Sequence, residues 1–420
     1  MKKVFKYLNL IFIFIISLYA FSINAYAKTE DVKYISETGE IKTEKNVTVL
    51  DERTSSLSDD FYVSRSITFE EGIELYNDVA IIMRKGDTLT FKNGIISSGD
   101  TLTIYVQEED NNSLLSIEYN NDNSIGYTYA AELNLNIYGG KVNVFGKNGS
   151  HNTYTVGAIR GNVTIYNGDV TIKSGDGSGD PPYSSAFSGI EGNLTVYDGK
   201  IQITGARGAG KHYPSDSGSG VNGDVSIYNG DVTITGAESA TCGNHMFGQS
   251  GSGITGNLKV LNGNVSIIGG KQGDEEEYGN GVDGNVDISG GNVIIKSGKG
   301  TGSYGIKKSL NISGGQLLLF DGIKEKVTIL DNPNILAGPN EKELNPISTY
   351  NNEKCLKIEY EDSEDLLENN ELILDTNNSD IKTKKGFNSN TIIIPSCVLI
   401  GCVIILIIIR KYKNKKLNNN

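Results

Sequence analysis

Cysteine is scarce in this chain of 420 residues: there are four. Cys397 and Cys402 lie in an uncharged apolar run, and Cys242 and Cys355 are far apart. That excludes a disulfide framework and a Cys-x-x-Cys metal pair, so stability has to come from a packed core. Histidine is scarcer still, at three. His151, His212 and His245 each stand alone in a polar stretch without ligand spacing, and solvated loop imidazoles fit them better than zinc ligands. Other patterns are missing too. There is no Ser-His-Asp arrangement and no paired-Asp motif on a strand, and "GARGAGKH" from Gly205 lacks the spacing of a phosphate loop. Arg160 and Arg207 have no evident carboxylate neighbour. Acid–base sugar cleavage needs a carboxylate cluster, so no catalytic residues are assigned and the chain is not expected to be an enzyme.

Positive charge is also in deficit. The formal net charge is -13, and both end segments carry cations without any acidic residue. A surface of this sign repels nucleic acid, so no nucleic-acid partner is expected. Lys2, Lys3 and Lys6 precede the apolar stretch from Leu8 to Ala20, and Ala25-Tyr26-Ala27 follows. This reads as a signal peptide over residues 1–27. At the other end, Thr391 to Ile409 carries no charge and is long enough to span a hydrocarbon core of about 30 Å. Arg410, Lys411, Lys413, Lys415 and Lys416 come directly after it, which places the C-terminus on the cytoplasmic side. The expected location is a bacterial cell membrane, crossed once, with the bulk outside. No LPxTG-type sortase signal precedes the span.

Between these ends one phrase returns: "GNVTIYNGDVTIKSG" at Gly161, "GNLTVYDGKIQITGA" at Gly192, "GDVSIYNGDVTITGA" at Gly223, "GNLKVLNGNVSIIGG" at Gly256 and "GNVDISGGNVIIKSG" at Gly284. Each unit reads as three short strands. In Ser188 to Gly205 they centre on Ile190, on Leu194-Thr195-Val196 and on Ile201-Gln202-Ile203, with apolar residues on one face by the period of two. Asp198-Gly199 makes the turn between the second and third. An Asn-Gly turn between alternating strands also suits a β-hairpin, which is the rival. The recurrence of Ile159, Ile190, Val221, Ile254, Val282, Ile306 and Ile323 before the second strand favours a three-sided coil. Such a coil pairs in parallel with its neighbours. The expected fold is all-β: a right-handed, single-stranded parallel β-helix over 61–330. A flexible segment (28–60) precedes it. A cap (331–361), a polar stalk (362–390), a transmembrane helix (391–409) and a basic tail (410–420) complete the chain.

Length varies only between the third strand of one unit and the first of the next. The long insertions emerge there along one edge, and loops on a rigid scaffold are where binding sits. Each carries or adjoins an aromatic residue: Tyr154, Tyr183 with Phe187, Tyr213, Phe247, Tyr278 and Tyr304. A row of rings with polar neighbours suits sugars, whose C–H faces stack on aromatics. The competing reading is that the rings fold back and cover the loop bases. Tyr138, Tyr166, Tyr197 and Tyr228 form a second row, which should point outward, stack and stabilise the coils. Gly273 to Asp287 concentrates carboxylates, but it has neither the EF-hand spacing nor a full Gly-Asp nonapeptide run. Calcium is therefore not assigned and no cofactor is expected.

The segment ahead of the repeats carries a recognisable order of motifs: Phe61-Tyr62-Val63, Asp78 to Ile82, Gly86 to Thr90, Gly94-Ile95, and Gly99 to Tyr105 with Gln107. Together with the coils, this resembles bacterial secreted and surface proteins built of tandem Gly-rich right-handed β-helix repeats, including clostridial-type proteins that bind plant polysaccharide. The resemblance covers about Phe61 to Tyr360. It implies an adhesin-like or carbohydrate-binding role and brings no catalytic residues. The usual Gly-Ile-Gly-Gly appears here as Ala-Ile-Arg-Gly at Ala158 and Gly-Ile-Glu-Gly at Gly189. The favoured function is a membrane-anchored module that binds polysaccharide or another cell-surface ligand through the loop edge. A spacer without a ligand and a polysaccharide lyase or hydrolase remain as alternatives.

Overall fold

A computed structural model describes residues 28–108, 112–120, 128–149, 155–177, 186–208, 216–239, 248–271, 279–298, 302–347, 353–360, 370–374 and 381–385. Among them there is no helix: the chain is all-β, with long sheets of parallel strands. The chain divides into two units at Thr383–Lys384, and every coil belongs to the first.

Each repeat contributes strands at three positions, and each position pairs in parallel with its counterpart in the next repeat. Ile190–Glu191 lies between Val156–Arg160 and Val221–Asn222. Leu194–Val196 lies between Val163–Ile165 and Val225–Ile227. Lys200–Thr204 lies between Asp169–Lys173 and Asp231–Thr235. Among the described residues of these coils, no strand pairs with another from its own repeat, which rules against the hairpin. The arrangement is compatible with a β-solenoid.

The inward positions line up as columns. Ile159, Ile190, Val221, Ile254, Val282, Ile306 and Ile323 pair in sequence and are fully buried. Ile165, Val196, Ile227 and Val260 make a second column, and Ile172, Ile203, Ile234 and Ile267 a third. These β-branched residues fit a pleated, half-buried surface. Thr171, Gln202 and Thr233 alternate with them and face outward. One continuous core therefore runs through all the coils, and a single coil could not close it alone.

The corners explain why the phrase is so constant. At the first corner the Asn162 side-chain carbonyl accepts the Asn193 N–H at 3.0 Å, and Asn193 accepts that of Asp224 at 2.9 Å. The series continues through Asn257 and Asn285. A residue whose side chain can accept a hydrogen bond is therefore required after the corner glycine. At the second corner Gly199 has φ 112°, and a Cβ there would meet the Gly168 carbonyl oxygen at 2.6 Å. Only glycine tolerates both the conformation and the spacing.

The segments read as flexible (28–60) and as a stalk (362–390) both contain paired strands, which departs from the expected organisation. Residues 28–60 read as a loose polar segment, yet β1 (Thr29–Ile35) and β2 (Ile41–Val49) form an antiparallel hairpin. Val32, Tyr34, Val47 and Val49 bury against Val63 and Ile82. Glu30 forms an ion pair with Arg84, and β2 pairs in parallel with Phe61–Val63. At the far end Cys355–Glu359 runs antiparallel between Gln316–Phe320 and Asn334–Gly338. In the segment read as a stalk, Asn370–Leu374 pairs antiparallel with Val327–Leu330. A parallel stack ends in open backbone groups that invite edge-to-edge association, and these pieces cover them.

Candidate functional site

Two of the seven aromatic residues expected on the loop edge are described. Tyr154, Tyr183, Tyr213, Phe247 and Tyr278 lie outside the described residues, as do all three histidines. Phe187 is only 2% exposed. Its ring meets Tyr129 edge-on at 5.2 Å, and Ala206 completes a small apolar cluster. This ring covers a loop base and is withdrawn from solvent. Tyr304 differs: it is half-buried and lines a cleft of about 330 Å³.

The cleft is assembled from four successive coils, the first contributing Ser250 and Ser252. Val282, Ile306 and Ile323 point inward at their first strand position. The next residue of each, Asp283, Lys307 and Lys324, therefore faces out by the strand alternation. Asn280 fixes Tyr304 by accepting its N–H on Oδ1 at 2.8 Å. Asn280 Nδ2 also donates to Asp283 Oδ1 at 2.6 Å, and Ser252 Oγ donates to Asp283 Oδ2 at 3.0 Å. Lys307 Nζ lies 3.8 Å from Asp283, and Lys324 Nζ lies 6.0 Å from the centre of the Tyr304 ring. The result is a ring with its polar neighbours held in place by a hydrogen-bonded frame. Such a surface supports C–H stacking and hydrogen bonds to hydroxyls.

The same outward column continues towards the N-terminus as Thr255, Asn222, Glu191, Arg160 and Glu132. The sequence shows no carboxylate neighbour for Arg160, and the structure corrects this. Arg160 stands in register between Glu132 and Glu191, and its Nη1 donates to Glu132 at 3.1 Å. Glu191 accepts the Ser188 N–H at 3.0 Å and Asn222 Nδ2 at 2.7 Å. Thr255 in turn donates to Asn222 at 2.7 Å. Tyr129, Arg160, Glu191 and Asn222 border an open groove of about 620 Å³. Adjacent side chains use one another as partners here, so the column reads first as a stabilising polar ladder.

The second row of tyrosines stacks outward. Ring centres are 4.1 Å apart for Tyr138 and Tyr166, 4.8 Å for Tyr166 and Tyr197, and 4.7 Å for Tyr197 and Tyr228. Tyr105 extends the row by one coil, 4.8 Å from Tyr138, and Tyr34 of the hairpin packs on Tyr105. The pattern of the repeat did not reveal these two, because neither is followed by the glycine-containing turn that ends the second strand of a repeat. Tyr197 and Tyr228 are 41% and 40% exposed. The faces of the inner rings are covered by one another, so this ladder presents edges and hydroxyls rather than a stacking platform for sugars. Burial raises the Tyr138 hydroxyl well above its ordinary value, and its hydrogen bond with Tyr166 adds to the effect. Tyr105 is pushed up to about 12, by burial first and then by the charge of Glu37. A groove of about 690 Å³ lies between the hairpin tip and Tyr138 and Tyr166.

Among the described residues no cluster of three or more His, Cys, Asp or Glu side chains is placed to hold a metal ion. The acidic run from Gly273 falls partly outside them. No described helix is long and apolar enough to cross a membrane, and residues 391–409 lie outside the described part. No protein-family model, curated protein or solved structure matches the chain.

Proposed function

We propose that this chain is an extracellular polysaccharide-binding protein without catalytic activity, built as a right-handed parallel β-helix. Residues 1–27 are its secretion signal, and residues 391–409 tether it to the membrane of the bacterial cell. The sugar binds along the edge where the inter-coil insertions meet the first strand position. One observation carries this reading: the half-buried Tyr304 ring lies in a cleft whose donors and acceptors come from neighbouring coils. A rigid stack holds these groups at fixed spacing, which limits the ordering cost of binding an extended polymer. The resemblance to tandem Gly-rich surface proteins supports the same function.

A second reading, a spacer without a ligand, draws support from the self-satisfied ladders around Arg160 and Tyr166. Retention on insoluble polysaccharides separates the two. The full-length protein in lipid nanodiscs is mixed with each glycan and sedimented, beside variants carrying Ala at Tyr304 and at the five other aromatic candidates of the insertions, Tyr154, Tyr183, Tyr213, Phe247 and Tyr278. Binding by the wild type and loss in the variants is the expected result. Undiminished retention of the variants contradicts the aromatic edge. Absence of retention on every glycan favours the spacer, and release of reducing or unsaturated ends identifies an enzyme instead.

A further inference from the structure

The Tyr304 cleft is cationic in a chain of net charge -13. Lys307 and Lys324 project from the same face of consecutive coils, about 4.8 Å apart along the stack. Both are exposed. Among the described residues Asp283 is the one carboxylate lining the cleft, and its two oxygens already accept from Asn280 and Ser252. Lys307 reaches it only at 3.8 Å. Lys324 has no carboxylate within ion-pair distance among the described residues and lies near the Tyr304 ring. Among the described residues the lining therefore keeps one surplus positive charge, with two ammonium groups on the same cleft as an aromatic ring.

We infer that this cleft selects an anionic glycan unit. The sugar ring packs on Tyr304, and its carboxylate or phosphate sits between the ammonium groups of Lys307 and Lys324. Asp283 pairs with Lys307 and leaves Lys324 as the net positive charge of the described lining. Elsewhere on the first-strand column Arg160 pairs with Glu132, and Glu191 accepts hydrogen bonds from Ser188 and Asn222. Among the described residues, that makes this end of the column the place where an acidic polymer meets a lysine without a carboxylate partner. The inference rests on the polysaccharide reading and adds the class of sugar to it.

The test uses full-length protein in nanodiscs of zwitterionic lipid, titrated calorimetrically with three probes: oligogalacturonate, poly(glycerol phosphate) and neutral dextran. At least one acidic probe should bind more tightly than dextran, and its affinity should fall as salt rises, because exposed charge pairs are screened. Whichever acidic probe binds identifies the anion as carboxylate or phosphate. The double variant Lys307→Gln with Lys324→Gln should lose at least tenfold in affinity for that probe and keep its melting temperature, whereas Lys324→Arg should bind like the wild type. Equal binding of dextran and the acidic probes, or an acidic probe bound unchanged by the double variant, overturns the selection of an anion but leaves polysaccharide binding standing. Binding of none of the three removes both.

Discussion

Replacing Ile190 with Ala tests the stacked core at the first strand position. Ile190 is fully buried, with Ile159 and Val221 above and below it in register. The substitution removes three carbons, worth about 0.8 kcal/mol each when transferred out of water, or roughly 2.4 kcal/mol. The neighbours cannot close the gap, because Ile159 and Val221 are held by their own backbone pairing, so a cavity term adds to this. The expected loss is about 3–4 kcal/mol, inside the range for such buried truncations. Thr195→Ala, on an outward position of the same coil, should cost less than about 0.5 kcal/mol. Urea unfolding followed by far-ultraviolet circular dichroism reads both. Comparable midpoints for the two variants would refute the inward column, as would a shift for Thr195→Ala larger than that for Ile190→Ala.

The corners and ladders give three further expected outcomes. Gly199→Ala should destabilise by at least about 1 kcal/mol in the same unfolding assay, since it strains a positive φ and drives Cβ against the Gly168 carbonyl. Tyr166→Ala removes stacking with both Tyr138 and Tyr197. At about 0.5–1.5 kcal/mol per aromatic pair it should cost roughly 1–3 kcal/mol, measured by thermal unfolding against Tyr76→Ala, an exposed tyrosine outside the ladder. The raised hydroxyls of Tyr105 and Tyr138 set an alkaline limit. The fold favours their neutral forms, so the stabilisation is complete below the ordinary tyrosine value of about 10; the share of Tyr105 is lost as pH rises through about 12, and that of Tyr138 at still higher pH. Absorbance at 295 nm should show late-ionising tyrosines, and the melting temperature should decline over the same window; an undisturbed transition near pH 10 for every tyrosine would contradict it.

The coils were legible because three independent signals agree at every turn of the chain. Aliphatics alternate with period two, a glycine stands at each corner, and an apolar residue recurs before the second strand. The outward stacking of Tyr138, Tyr166, Tyr197 and Tyr228 followed from the same register. The N-terminal hairpin was not legible, since "DVKYI" and "NVTV" each bury only a pair of residues among polar ones. Its anchoring depends on Val63 and Ile82, whose outward burial makes sense only once the hairpin is present. The partners of Arg160 were hidden for a different reason. Glu132 and Glu191 lie a full coil before and after it, and unequal insertions obscure which residues of different coils share a register. The cleft at Tyr304 needed this register as well, because Lys307 and Lys324 meet only when two coils of unequal length are laid strand on strand.

That register underlies the core, the ladders and the cleft alike, and distances between spin labels measure it directly. Lys141, Asp169, Lys200, Asp231, Asn264, Asn292 and Gln316 occupy one column, each paired in parallel with the next. Labels at Lys141 and Gln316 in the full-length protein are six steps apart. Pulsed electron paramagnetic resonance should place their backbones about 29 Å from one another, at about 4.8 Å per step. A meander of hairpins would insert a second strand into every step and give about 58 Å, and that result would contradict the stack and every site built on it.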